Sequence, residues 1–319
     1  MKNPAELIRS IGILPVLNVK DPALAEPLAQ VLIKTGIPAI EVLFRNEKAL
    51  QVLTEMKKNH PEMAVGAGTV LTVEQAKIAV EAGADFIVCP GYVQSIVDWC
   101  NAQDVLIVPG CSTASEIQNA YVSGLRIVKF FPAEPLGGLK IIKQYASAFS
   151  GMQFIPTNGI DLKNLGTYLA DDCIAACGGS FVAPALELSE GNFEAIEALC
   201  NKAMDIALGF SLAHVGINTD NEEEAMATAK ALCALFRLPV INKGKSVFAG
   251  AAVEVMKSQF RGAKGHIGIR TLNVDRAVAY LKTKGVEFAM ETAGYDAKGA
   301  LAYVYLKDEI AGFALHLVK

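Results

Sequence analysis

A basic surplus, long apolar runs and paired cysteines are all missing from this sequence. Twenty-nine Lys and Arg face 33 Asp and Glu, a formal net charge of -4. That balance excludes a protein that holds nucleic acid by its phosphates. No stretch of about 18 uninterrupted apolar residues predicts a membrane span. Met1-Lys2-Asn3-Pro4 is followed by no long apolar core, so no signal peptide is expected. The 7 cysteines are odd in number, scattered and form no Cys-x-x-Cys pair. They predict reduced thiols and a cytoplasmic protein. Histidine is scarcer still, with 4 in 319 residues. No Gly-rich phosphate loop follows the first apolar run, which argues against a doubly wound nucleotide-binding sheet.

What is present, up to about residue 207, is an alternation. Short apolar runs stand at Ile13–Val19, Ala39–Phe44, Ala64–Val70, Phe86–Gly91, Leu106–Cys111, Ile127–Pro132, Phe154–Gly159 and Ile174–Gly179. Between them, segments such as Ala23–Thr35, Val73–Ala82 and Ala114–Ser123 carry Ala, Leu, Glu and Lys at helical spacing. Asp21-Pro22 and Thr72 read as helix starts; Gly36, Gly83 and Gly124 read as helix ends. Eight such units with continuously apolar strands predict a parallel (β/α)8 TIM barrel over residues 1–207.

In that fold the chemistry gathers at the C-terminal strand ends. One lysine, Lys129, lies inside the apolar run Ile127-Val128-Lys129-Phe130-Phe131-Pro132. A buried ammonium needs a partner or a task, because its desolvation is costly. Burial disfavours the cation and frees the amine to attack a carbonyl. The plainer reading is a lysine paired with a carboxylate or reaching past the strand end. Alternation places Glu41, Leu43 and Arg45 on one face of the second run. It does the same for Val65, Ala67 and Thr69 on the third, and for Ile155 and Thr157 on the seventh. One pocket is therefore expected to receive Lys129, Glu41, Arg45, Thr69 and Thr157. Thr157-Asn158-Gly159 and Gly178-Gly179-Ser180 end the last two runs, where this fold often binds phosphate.

Several motifs carry a resemblance. They are Glu41-Val42-x-x-Arg45, Gly66-Ala67-Gly68-Thr69-Val70, Pro90-Gly91, Pro109-Gly110-Cys111-Ser112-Thr113, Lys129-Phe130-Phe131-Pro132-Ala133-Glu134 and Gly178-Gly179-Ser180. Over roughly the first 205 residues the chain resembles the 2-keto-3-deoxy-6-phosphogluconate and 4-hydroxy-2-oxoglutarate aldolases. The resemblance implies a Schiff-base (class I) carbon–carbon lyase. It would cleave one or both of those 2-keto acids to pyruvate and an aldehyde, glyceraldehyde 3-phosphate or glyoxylate. Lys129 would form the imine and Glu41 would move protons. Arg45 and Thr69 would hold the pyruvyl carboxylate, with Pro90 and Phe131 lining the substrate. Thr157 would also meet the substrate, and Gly159, Gly179 and Ser180 would hold its phosphate. No cofactor is implied for this reaction, and a homotrimer through the barrel is. The family usually has two glycines after the threonine of the seventh strand; here Asn158 replaces the first, which favours an unphosphorylated substrate more than a full match would. A barrel isomerase or synthase acting on a phosphosugar without an imine is the alternative.

After residue 207 the pattern changes. Ala213-His214-Val215-Gly216-Ile217 recurs 52 positions later as Gly265-His266-Ile267-Gly268-Ile269. Each copy is followed by a predicted helix, at about Asn221–Phe236 and Val274–Lys284, and then by three strand-like runs. Residues 208–319 therefore read as an α+β domain of two βαβββ units. This domain resembles the vicinal-oxygen-chelate superfamily, which includes glyoxalase I. The resemblance implies metal ligands at His214, Glu254, His266 and His316. Such a set suits Zn²⁺, Ni²⁺, Mn²⁺ or Fe²⁺. At His316 glyoxalases usually carry a glutamate that also acts as base, so glyoxalase chemistry is not expected. A binding or assembly module without catalysis is the alternative for this domain.

Overall fold

Eight short strands punctuate the first two thirds of the chain. They are β1 (Ile13–Leu17), β2 (Ala39–Leu43), β3 (Ala64–Gly68), β4 (Phe86–Val88), β5 (Leu106–Val108), β6 (Ile127–Phe130), β7 (Gln153–Pro156) and β8 (Cys177–Gly179). The computed structural model describes residues 3–319. The chain divides into two compact units, Met1–Ala207 and Leu208–Lys319.

The helices between the strands begin and end where the local chemistry directs. Thr72 accepts from the Gln75 backbone at the start of Val73–Glu81. Thr113 and Glu116 form a reciprocal capping box at Ala114–Val122. Gly36, Gly83 and Gly124 follow helix ends at φ of 84°, 101° and 85°, a region that costs glycine little.

The strands of the first unit are parallel but not one continuous ladder. Six form a sheet in the order β5-β4-β3-β2-β1-β8, and β6 pairs with β7 separately. Isolated parallel bridges lie at both sides of that pair: Gly110↔Lys129 beyond β5, and Phe154↔Ile174 and Thr157↔Gly178 toward β8. The physical reason is strand length. β5 and β8 hold only three residues each, so pairing at these edges shrinks to single bridges. The apolar side chains of these strands are buried almost without exception. Large and small residues interlock: a Cβ on Gly66 would lie 2.1 Å from the Phe86 ring.

The second unit contains β9 (Ser211–Asn218), β10 (Val240–Lys243), β11 (Ser246–Ala249), β12 (Val253–Met256), β13 (His266–Arg270), β14 (Phe288–Tyr295), β15 (Leu301–Leu306) and β16 (Ala314–Val318). Helices Glu222–Phe236 and Val274–Thr283 follow β9 and β13. The N-caps Asn221 and Asn273 make equivalent bonds, to Glu224 N and Arg276 N. One mixed sheet runs β10-β11-β12-β9-β13-β16-β15-β14. In each half the first strand pairs parallel with the last, β9 with β12 and β13 with β16. β9 and β13 meet antiparallel at the centre. Ala225 and Ala229 of the first helix pack on Val247 and Val255. Alternation therefore leaves Phe248 and Glu254 on the opposite face of β11 and β12.

Candidate functional site

The central feature of the first unit is a buried ion pair. Lys129 Nζ, on β6, donates to Glu41 Oε1 at 3.0 Å and to Oε2 at 3.3 Å. Their side chains are 8% and 1% exposed. β2 and β6 are not hydrogen-bonded neighbours, so both side chains project into space that the strands share. The pair satisfies each charge, and an amine beside a carboxylate can pass it a proton. Phe131 places its ring centroid 5.7 Å from Lys129 Nζ. Ser112 Oγ donates to the Phe131 carbonyl at 2.6 Å and fixes that segment.

Arg45 and Thr69 form a second pair. Arg45 Nε donates to Thr69 Oγ1 at 3.1 Å. The route by which Thr69 reaches Arg45 corrects the strand reading. Gly66 and Gly68, not Val65 and Ala67, share the face of Glu41: a Cβ on Gly68 would lie 2.3 Å from Glu41 Oε1. Thr69 stands just past β3 with φ of 60°, so the left-handed turn brings its hydroxyl round rather than strand alternation.

The remaining expected residues lie at the ends of β4, β7 and β8. The Pro90 backbone touches Gly110, where a Cβ would lie 2.1 Å from the Pro90 carbonyl oxygen. Thr157 is buried and bridges to Gly178, on which a Cβ would lie 2.4 Å from Thr157 Oγ1. Asn158 and Gly159 follow at φ of 80° and 83°. Gly179 closes β8, and Ser180 accepts through its carbonyl from Ala183 N at 3.1 Å. Two residues beyond the expected set complete this end. Glu134 Cβ and Cγ fill the space beside Gly159, and the Tyr168 hydroxyl donates to Glu134 Oε1. Burial, then the Glu134 carboxylate, pushes the Tyr168 phenol up and keeps it a donor. Glu134 was visible as the end of the Lys129–Glu134 motif; Tyr168, on a short helix, carried no signal.

The second unit gathers all four of its expected ligands. His214 Nε2 lies 3.0 Å from His316 Nε2 and 3.3 Å from Glu254 Oε2. His266 Nε2 lies 3.2 Å from the same Glu254 oxygen. The ligand nitrogens of the three histidines all lie within 4.8 Å of one another. They come from β9, β12, β13 and β16, four adjacent strands. Glycines make the room: a Cβ on Gly216 would lie 1.9 Å from His266 Cε1, and one on Gly268 2.6 Å from His214 Cε1. Burial, then the neighbouring histidines, pushes His316 down to about 4. Burial likewise lowers His214, against the pull of Glu254. Burial alone would raise the Glu254 carboxyl, but hydrogen bonds from His266 and Ser246 hold it below the usual range. The convergence of His214 and His316 brings together two nitrogens whose lone pairs repel unless a proton or a metal ion sits between them. Three donor pairs, His214–His316, His214–Glu254 and His266–Glu254, lie 3.0 to 3.3 Å apart, close enough for one ion at about 2.0–2.1 Å to reach both members. The donor set therefore fits a divalent metal. Tyr305 stacks on His316, with centroids 4.7 Å apart, and Phe260 stands edge-on to His266 at 6.2 Å.

The parallel strands and intervening helices of the first unit form an aldolase-type α/β fold. Residues 5–199 match the KDPG and KHG aldolase family, and the chain belongs to it. It is an aldolase by that membership. A 2-dehydro-3-deoxy-phosphogluconate aldolase of Treponema pallidum is 39% identical over 201 residues, which cover 63% of this chain and 96% of the relative. A KHG/KDPG aldolase of Escherichia coli is 37% identical over 205 residues, covering 64% and 96%. The crystal structure of a KDPG aldolase from Legionella pneumophila, with pyruvate captured as a covalent carbinolamine, superposes with a TM-score of 0.61 at 32% identity. It covers 63% of this chain and 97% of that one. The family match ends at residue 199, before the second unit begins.

Proposed function

We propose that the first unit cleaves a 2-keto-4-hydroxy acid, 2-keto-3-deoxy-6-phosphogluconate or 4-hydroxy-2-oxoglutarate, through an imine on Lys129. The observation that carries this reading is the buried Lys129–Glu41 contact of 3.0 Å. Glu41 takes a proton from the ammonium, and the free amine attacks the keto carbon. Glu41 returns that proton to the carbinolamine hydroxyl, which leaves as water and gives a protonated imine. Glu41 then takes the proton of the 4-hydroxyl, the C3–C4 bond breaks, and its electron pair moves toward the imine nitrogen. The aldehyde leaves and an enamine remains. Protonation at C3 and hydrolysis return pyruvate and Lys129. The imine is the electron sink, so this route uses no metal.

Arg45, with Thr69, meets the pyruvyl carboxylate, and Pro90 and Phe131 line the pocket. Thr157, Gly159, Gly179 and Ser180 meet the far end of the substrate. Asn158 retains a backbone N–H there but adds a polar side chain, which favours glyoxylate-yielding 4-hydroxy-2-oxoglutarate beside the phosphorylated acid. The isolated bridges at β5, β7 and β8 support closure of the eight strands into a barrel. A homotrimer through that barrel belongs to the same reading and is checked by sedimentation. Borohydride with pyruvate tests the mechanism. The expected product is a pyruvyl adduct mapped to Lys129 and absent from Lys129→Met, whose turnover falls by orders of magnitude. Turnover without any adduct on Lys129 overturns the imine and leaves a non-imine isomerase or synthase.

For the second unit, the reading is a metal-binding domain of the vicinal-oxygen-chelate type, with His214, Glu254, His266 and His316 as ligands to Zn²⁺, Ni²⁺, Mn²⁺ or Fe²⁺. A divalent ion there would supply Lewis-acid polarisation of a bound oxygen. Burial disfavours the charged forms of His214 and His316, so both present lone pairs. Elemental analysis of purified protein is expected to give stoichiometric metal that the His266→Ala variant lacks. Wild-type protein that takes up no metal would leave an assembly module.

A further inference from the structure

We infer that the histidine cluster of the second unit binds a small organic carboxylate, with the ligand's charge held by Lys243 and Arg270. The inference rests on the reading of the cluster as a metal site. Three ligating imidazoles are neutral and Glu254 supplies one negative charge, so a divalent ion there keeps a net charge of about +1.

The rim adds to that charge. Lys243 Nζ stands 4.3 Å from the Phe248 ring centroid, and that ring packs edge-on to His214 at 6.0 Å. Arg270 shares a face of β13 with His266 and Gly268 by strand alternation. Arg270 pairs with Ser211 of β9, on the same strand pair in which Gly268 faces His214. Among the described residues neither Lys243 nor Arg270 has a carboxylate partner. Arg261 is a third cation, 5.5 Å from the Tyr305 centroid, but Glu291 already stands 3.5 Å from it. The weight therefore falls on Lys243 and Arg270. Two cations without counter-ions beside a positive centre call for an anion.

The walls say which kind. Phe248 lies against His214, Phe260 against His266 and Tyr305 against His316. Aromatic rings favour a ligand with a carbon body over a free inorganic anion. Ions that accept more than four ligands keep a position for one of its oxygens. The first unit, as read above, releases a 2-oxo acid, so pyruvate is the probe.

Full-length protein is loaded with one equivalent of Co²⁺, dialysed, and titrated with pyruvate while the visible absorption of the cobalt is followed. Only the second unit contributes to that signal. The expected result is a saturable change with pyruvate and none with the neutral ester methyl pyruvate at the same concentrations. Lys243→Met and Arg270→Met are each expected to weaken pyruvate binding by about tenfold, the worth of a charge-assisted contact, with cobalt uptake still stoichiometric. Failure to take up cobalt overturns the metal reading and this inference with it. Cobalt uptake with a spectrum unmoved by pyruvate, or moved equally by methyl pyruvate, overturns this inference alone. So does a response to inorganic phosphate at lower concentration than to pyruvate. Unchanged pyruvate affinity in both variants overturns the role of the two cations.

Discussion

Gly68 stands so close to the Glu41 carboxylate that a Cβ there would lie 2.3 Å from Oε1 and 2.6 Å from Cγ. The glycine therefore sets where the carboxylate stands relative to Lys129, and no side chain can replace it without moving Glu41. Gly68→Ala is expected to lower kcat by about 10²-fold, the cost of misplacing a reacting group by roughly an ångström. KM should change far less, because Arg45 and Thr69 are untouched. Steady-state kinetics on 4-hydroxy-2-oxoglutarate decides it. A variant with wild-type kcat would mean that Glu41 needs no fixed position.

Glu41→Gln separates imine formation from proton transfer. The amide keeps the shape of the side chain but cannot take a proton. We expect pyruvate to be trapped on Lys129 still, though slowly, while steady-state cleavage falls by about 10²- to 10⁴-fold. The buried ammonium also loses its counter-charge, so thermal stability should drop by on the order of 3 kcal/mol. A stability loss without a kinetic one would reduce Glu41 to a structural partner.

Much of this was legible in the order of residues. Lys129 stood out because a charge inside Ile127–Pro132 contradicts its surroundings, and Glu41 because it does the same inside Ala39–Phe44. The cluster of the second unit stood out because His214 and His266 are copies of one repeat position, while Glu254 and His316 were named from the closing strand of each copy through the superfamily resemblance. Other features were hidden for physical reasons. Strand alternation assigned Val65 and Ala67 to the pocket, and the left-handed φ at Thr69 defeats any rule of alternation. Tyr305 and Phe260 reach the histidines only through sheet pairing and a loop path, which leave no trace in spacing. Gly216 and Gly268 did leave one: each stands two residues after a repeat histidine, a sign of a ring lying over bare backbone.

Cys89 follows β4 near Glu41 and Lys129 and invites suspicion as a reactive thiol. Burial, then Cys100 and Glu41, pushes it up to about 12, and burial does the same to Cys111. A raised thiol stays protonated through neutral pH, and the thiolate is the nucleophile. At about pH 8 only about one molecule in 10⁴ carries the thiolate at either position. Iodoacetamide is therefore expected to leave both unmodified in the native protein, with activity intact, and to label all 7 cysteines after denaturation. Labelling of Cys89 in folded, active protein, read by peptide mapping, would show that this part of the site opens to solvent.

Gly268 offers the sharpest test of the second unit, because a side chain there would meet two of the clustered histidines at once. A Cβ there would lie 2.6 Å from His214 Cε1 and 2.8 Å from His316 Nε2. Gly268→Ala must push at least one ring away from the shared centre. Metal affinity should fall by about 10- to 100-fold, as it does when the supports of a ligand are disturbed. The β10–β11 turn supplies the control: Gly244 has nothing within 4 Å of an added Cβ and does not need a positive φ. Gly244→Ala is therefore expected to bind cobalt as the wild type does, and both variants should retain aldolase turnover. If Gly268→Ala also kept full cobalt affinity, the histidine geometry would not be what binds the ion. Metal found on the protein would then have to be held by other groups.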